Sequence, residues 1–154
     1  MKISQRVYFE ISSETVSAET VTASLGMEPD ELRIRGTKRA EPPIPPRHSW
    51  SVHCRDHGLR IDAQVETILD RIESIRTRLV LMAATQDVQV RLVIVRHFDD
   101  DHGEEEAFDV AITEDGKLLE KLPGQHQLLG WYLSDEQLGF LAEIRCAIWA
   151  DEYA

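Results

Sequence analysis

The chain has 154 residues, of which 42% are apolar, 29% charged and few aromatic, with a formal net charge of −11. That length suits one domain, residues 1–154, able to bury about two-thirds of its unfolded surface. The acidity excludes general affinity for nucleic acid or anionic membrane, whose phosphates it would repel over most of the surface.

The opening MKISQRVYFEISSE alternates instead of running apolar, so it does not read as a signal peptide. Ile3, Val7, Phe9 and Ile11 share one face of an amphipathic strand, with Arg6, Tyr8 and Glu10 on the other. Ser17 is placed as the N-cap of a short helix carrying Val21 and Leu25, closed by Gly26 and Pro29. Residues 29–48 hold five of the six prolines and cannot be regular throughout. A strand resumes at Trp50–Arg55, with Trp50, Val52 and Cys54 on one side and Ser51, His53 and Arg55 on the other.

Val65, Ile68, Leu69, Ile72, Ile75, Leu79 and Met82 recur at three- and four-residue steps, predicting one helix from about Asp62 to Ala83. Val88, Val90, Leu92 and Ile94 then alternate, and Val93 and Val95 make the opposite face apolar too, the mark of a central strand. A polar turn over 99–106 leads to Phe108, Val110 and Ile112, read as the returning strand of a hairpin. Ser134-Asp-Glu-Gln137 is a capping box opening a helix with Leu138 and Leu141, and Ala147–Tyr153 reads as a last strand. The order β-α-β-α-β-β-α-β predicts an α+β fold: a single mixed, largely antiparallel sheet packed by helices, an elaborated ferredoxin-like arrangement.

Against this acidic background, residues 33–50 (RIRGTKRAEPPIPPRHSW) carry a local charge of +4, leaving −15 on the rest. Charges of one sign repel unless something pairs with them, so this loop is the candidate working surface. Arg35-Gly36-Thr37-Lys38-Arg39 sets a flexible glycine, a hydroxyl and three cations together, a combination able to wrap a phosphate or carboxylate. The competing reading is that these cations are solvated or paired with the protein's own acids. Pro42-Pro-Ile-Pro-Pro46 stiffens the return, aiming Arg47 and Trp50, and Trp50 is either a core anchor or an aromatic wall beside a ligand. The candidate ligand-binding residues are thus Arg35, Lys38, Arg39, Arg47 and Trp50.

Other chemistry has little support. The spacing GxxxxGK[ST] of a phosphate-binding loop does not occur, nor do HExxH, CxxC, a calcium loop or GxSxG. His48, His53 and His57 lie near Cys54, but alternation puts His53 and Cys54 on opposite strand faces; His97 and His102 flank an acidic turn. No metal, cofactor or catalytic residue is assigned. Cys54 and Cys146 are read as reduced thiols, with the cytoplasm as the expected location.

Thr20-Val-Thr-Ala-Ser-Leu-Gly-Met-Glu-Pro29, the basic segment with Gly36 and Lys38, Ser49-Trp50-Ser51, and the ending Ala150-Asp-Glu-Tyr153 resemble the bacterial family named domain of unknown function 4279. The resemblance spans most of the chain. The Pro-Pro-Ile-Pro-Pro insertion and Trp149-Ala150 depart from the family pattern. The resemblance implies a small bacterial cytosolic domain without an established activity. It also implies that the turn after Leu25, the Gly-Lys segment and Trp50 form one unit.

The functional expectation is a non-catalytic binding or protein-interaction module whose basic loop engages an acidic or anionic partner. Toxin-neutralising immunity proteins offer an analogy, since their acidity steers a basic partner. The alternative is an enzyme or sensor for a phosphorylated or carboxylated small molecule, and a homodimer through the last strand is a further option.

Overall fold

The computed structural model describes residues 2–99 and 130–153. The hairpin strand at Phe108–Ile112, His102 and the Pro123-Gly124 turn lie outside the described residues. Among those described, the order is β1 (Lys2–Ser13), α1 (Ala18–Leu25), β2 (Glu31–Arg33), β3 (His48–His53), α2 (Ile61–Glu73), α3 (Arg76–Ala83), β4 (Gln89–Asp99), α4 (Asp135–Glu143) and β5 (Ala147–Tyr153).

The strands form one open sheet in the order β2-β3-β1-β4-β5, antiparallel except for the β4–β5 pair. The fold is therefore α+β with a mixed, mostly antiparallel sheet. β1 is its axis: Phe9 faces Val52 of β3 on one edge and Leu92 of β4 on the other, and Ile11 likewise faces Trp50 and Val90. These residues share one face, which buries against Val21 and Leu25 of α1, Val65, Ile68 and Ile72 of α2, Leu79 of α3, and Phe140 and Leu141 of α4. All four helices thus cover the same side. β4 has strands on both edges, β1 and β5, and its Val93 and Val95 are buried on the opposite side as well.

Local chemistry sets most boundaries. Ser17 and Ser134 accept from the backbone N–H groups of Thr20 and Gln137, and Gln137 returns a bond to the Ser134 N–H, completing the capping box. Gly26 ends α1 at φ +63°, in the left-handed region that glycine enters without a Cβ clash.

The predicted single helix over 62–83 is instead two. Ile75, at φ −109° and ψ 9°, leaves the helical path after Ser74, although it and Leu79 stay buried as the periodicity requires. The break turns α3 onto α1, where Arg78 donates to the Leu25 carbonyl at the end of α1.

One buried amide ties helix to sheet. β3 stops pairing with β1 at Tyr8, so the Val7 N–H would face the core without an acceptor. Gln64 of α2, fully buried, accepts from it at 2.9 Å and donates to the Leu59 carbonyl at 2.8 Å. Gln64→Leu keeps the volume and removes the acceptor. The expected cost is about 1–3 kcal/mol of unfolding free energy, measurable by urea denaturation, whereas Gln64→Glu at low pH, with the carboxyl protonated, retains more stability.

Candidate functional site

The basic segment leaves β2 at Ile34 and returns at His48, and backbone bonds make it a compact arm. Gly36 donates to the Pro45 carbonyl at 2.9 Å, Lys38 to the Ile44 carbonyl at 2.8 Å, and Ile44 to the Arg39 carbonyl at 2.8 Å. The peptide bonds before Pro42 and Pro45 are cis. Two of the cations are spent on the arm itself: Arg35 Nε donates to the Pro46 carbonyl (2.9 Å) and Arg39 Nε to the Pro42 carbonyl (3.1 Å). Arg33, at the root, pairs with Glu31 at 2.7 Å.

A third cation pins the arm to the body. Arg47 reaches Glu14 (3.2 Å) and the Asp87 carboxylate (3.0 Å) and carbonyl (2.7 Å). The other carboxylate oxygen of Asp87 gathers Ser13 Oγ at 2.9 Å and the Glu14 N–H at 2.7 Å, with the Thr15 N–H at 3.2 Å. These donors, with Arg47, hold the Asp87 carboxyl far below the ordinary carboxylate range. Its left-handed backbone, at φ 66°, is one that aspartate tolerates better than most residues.

At the end of the β2–β3 pair away from the arm stands Asp30. It accepts from the His53 N–H at 2.8 Å, from Arg55 at 3.0 Å and from Arg71 of α2. Burial pushes its carboxyl up, but the bonds from Arg71, His53 and Arg55 outweigh it and hold the pKa at about 2.

The five sequence candidates do not surround one hollow. Trp50 is 0% exposed and sits in the core opposite Ile11, so it offers a ligand no wall and anchors the strand instead. Arg47 is committed to Asp87 and Glu14. Of the five only Arg35 lines the shallow depression in the arm, beside Gly36, Ala40, Glu41, Pro43 and His48, and Glu41 puts an acid there. Lys38 and Arg39 project from the arm into solvent. Three apolar side chains accompany them outward: Leu32 (42% exposed), Ile34 (43%) and Ile44 (39%).

A serine, a histidine and a glutamate meet on the face of the sheet that no described helix covers, where Ser51 Oγ lies 2.9 Å from His53 Nε2. Glu31 approaches the same nitrogen at 3.8 Å instead of Nδ1. A nucleophile-base-acid relay needs the acid on the far nitrogen to orient the imidazole, so this trio does not form one. His53 stacks on Tyr8 with ring centroids 5.2 Å apart, and burial there lowers its pKa. Cys146 is likewise unsuited to nucleophilic work, burial pushing its thiol up to about 12, and both cysteines are free. Among the described residues no group of three or more His, Cys, Asp and Glu is placed to hold a metal ion. No helix there is long and apolar enough to cross a membrane.

Asp30 and Asp87 carried no sequence signal of their role beyond standing in turns ahead of strands. Because the folded pKa of Asp30 is depressed to about 2, its contribution is complete above the unfolded carboxylate value of about 4 and is lost as pH falls toward 2. Asp30→Asn is expected to cost about 1–2 kcal/mol at neutral pH and to flatten the stability profile between those two pH values. Chemical denaturation across that range checks both.

Compared with known proteins, the chain matches the family described as domain of unknown function (DUF4279) over residues 1–154. No curated protein and no solved structure matches it. With the match running the length of the sequence, the chain belongs to the DUF4279 family.

Proposed function

We propose that the protein is a non-catalytic interaction module that engages an acidic protein surface through the arm between β2 and β3. The observation that carries this reading is the exposure of Ile34, Ile44, Lys38 and Arg39 on one segment that its own hydrogen bonds hold in shape. Exposed apolar and cationic side chains together, on a surface without a deep hollow, fit a protein partner better than a small molecule. The pinning by Arg47 and Asp87 lowers the ordering cost of binding, since the arm is arranged before the partner arrives. A small anion would instead want converging donors, and in the arm's depression Arg35 is joined by Glu41.

A photo-cross-linking residue at Ile34 tests the reading in cell extract. The expected product is an acidic protein whose capture falls with salt and drops at least tenfold, about 1.4 kcal/mol, in Lys38→Glu/Arg39→Glu. Both side chains are exposed, so the variant should melt within about 2 °C of the wild type. A basic protein captured at the acidic body and not at Ile34 would favour the immunity-like alternative. Melting raised by phosphate or a carboxylate, and lost in Arg35→Ala/Arg39→Ala, would favour the small-ligand alternative.

A further inference from the structure

A second locus lies where the start of β4 meets the start of β5 below the end of α3, beyond the Asp87 turn that holds Arg47. Ala83, Val88, Val90 and Ala147 give apolar walls to a groove of about 370 Å³, and Arg91, Arg145 and Trp149 complete it with Gln89. The register explains the meeting. Arg91 stands beside Ala147 and Val93 beside Trp149, so Arg91 and Trp149 share the face of the sheet that no described helix covers. The Arg91 guanidinium lies 4.6 Å from the Trp149 ring centroid, while Trp149 itself remains 49% exposed. Arg91 spends Nη2 on Glu10 and Ser12, and its buried Nε–H has no acceptor among the described residues.

Arg145 is the unusual member. α4 ends in a paired backbone cap: Cys146 N–H to the Leu141 carbonyl at 2.8 Å and Arg145 N–H to the Ala142 carbonyl at 3.0 Å. That motif places its first residue beyond the helix in the left-handed region, where glycine is the usual occupant. α1 uses Gly26 for its left-handed residue; α4 uses Arg145, at φ 53°. The backbone already satisfies both carbonyls, so the cap does not call for a guanidinium. Arg145 is exposed, and among the described residues it makes no ion pair. Glu10 neutralises Arg91, which leaves the groove one net positive charge on a protein of net charge −11.

The geometry points to this groove as a binding site for a small organic anion, a carboxylate or phosphate on a flat apolar body, with Arg145 taking the charge and Trp149 the ring. It is independent of the arm. An exposed arginine at a left-handed backbone position, lining one groove with a half-open indole, is a pattern that ligand sites produce when local geometry yields to binding.

Fluorescence titration of the full chain with benzoate, phenyl phosphate and inorganic phosphate, at constant ionic strength, tests it. A saturable change with either aromatic anion is expected, and it should vanish in Trp149→Phe. Affinity should fall at least tenfold in Arg145→Gly, although that variant should melt about 2–4 °C higher because the left-handed strain is relieved. Lys38→Ala/Arg39→Ala should bind as the wild type does, which separates this site from the arm. Absence of a saturable response to either aromatic anion, a response to inorganic phosphate alone, or undiminished affinity in Arg145→Gly would each overturn the assignment.

Discussion

The core face of β1 is the constraint on which the other elements depend. Val7, Phe9 and Ile11 can be taken from water only if strands flank β1 on both edges and helices cover that one face, because a lone strand cannot hide its side chains or pair its backbone. Every helix answers that demand from the same side. Where β3 ends, Cys54 still donates to the Val7 carbonyl and Gln64 takes the Val7 N–H, so docking of α2 and alignment of the sheet are coupled through one amide. The opposite face carries Arg6, Tyr8, Glu10, His53 and Trp149 beside the buried Val93 and Val95, and no described helix packs on it.

Charge is handled by the same economy. A loop of local charge +4 stays folded because its arginines are neither massed together nor left bare. Arg33 has Glu31, Arg35 and Arg39 have carbonyls of the loop itself, and Arg47 has Asp87 and Glu14. The remaining outward charge belongs chiefly to Lys38 and Arg39. Asp87 makes this possible for Arg47, while Asp30 collects the His53 N–H, Arg55 and Arg71 at the end of the β2–β3 pair away from the arm. Carboxylates with that many donors are worth more as fixed acceptors than as members of surface ion pairs.

Features governed by neighbours in sequence were legible from it. Alternation exposed the core faces of β1, β3 and β4, and the Ser134 capping box and the Gly26 stop rest on contacts within a few residues. The break at Ile75 was not legible, because the apolar spacing Ile72-Ile75-Leu79 runs through it without glycine or proline. Only packing of α3 on α1 makes it necessary. β2 is three residues long, too short to alternate, and is a strand because β3 lies beside it. The five candidate residues illustrate the same limit. Arg47 and Arg39 look alike in sequence, yet one is tied to a residue forty positions away and the other faces solvent. Trp50 reads first as a core anchor and second as a wall, and Ile11 placed opposite it decides for the anchor.

The position of β1 also bears on how the chain comes to be folded. Synthesis makes the axis of the sheet before any strand that flanks it: β3 follows at His48 and β4 only at Gln89. Most of the pairing is therefore between segments distant in sequence, the topology associated with slow folding. Until β4 arrives, the stretch from Val7 to Ile11 has at best one neighbour, and its apolar face is open to other chains. Helix α1 comes first but, among the strands, packs mainly on β3, and α2, which follows β3 and comes before β4, is the helix that packs on β1 itself. β1, β3 and α2, joined by the Gln64 amide, thus form a set of elements in which that face has a cover before β4 exists.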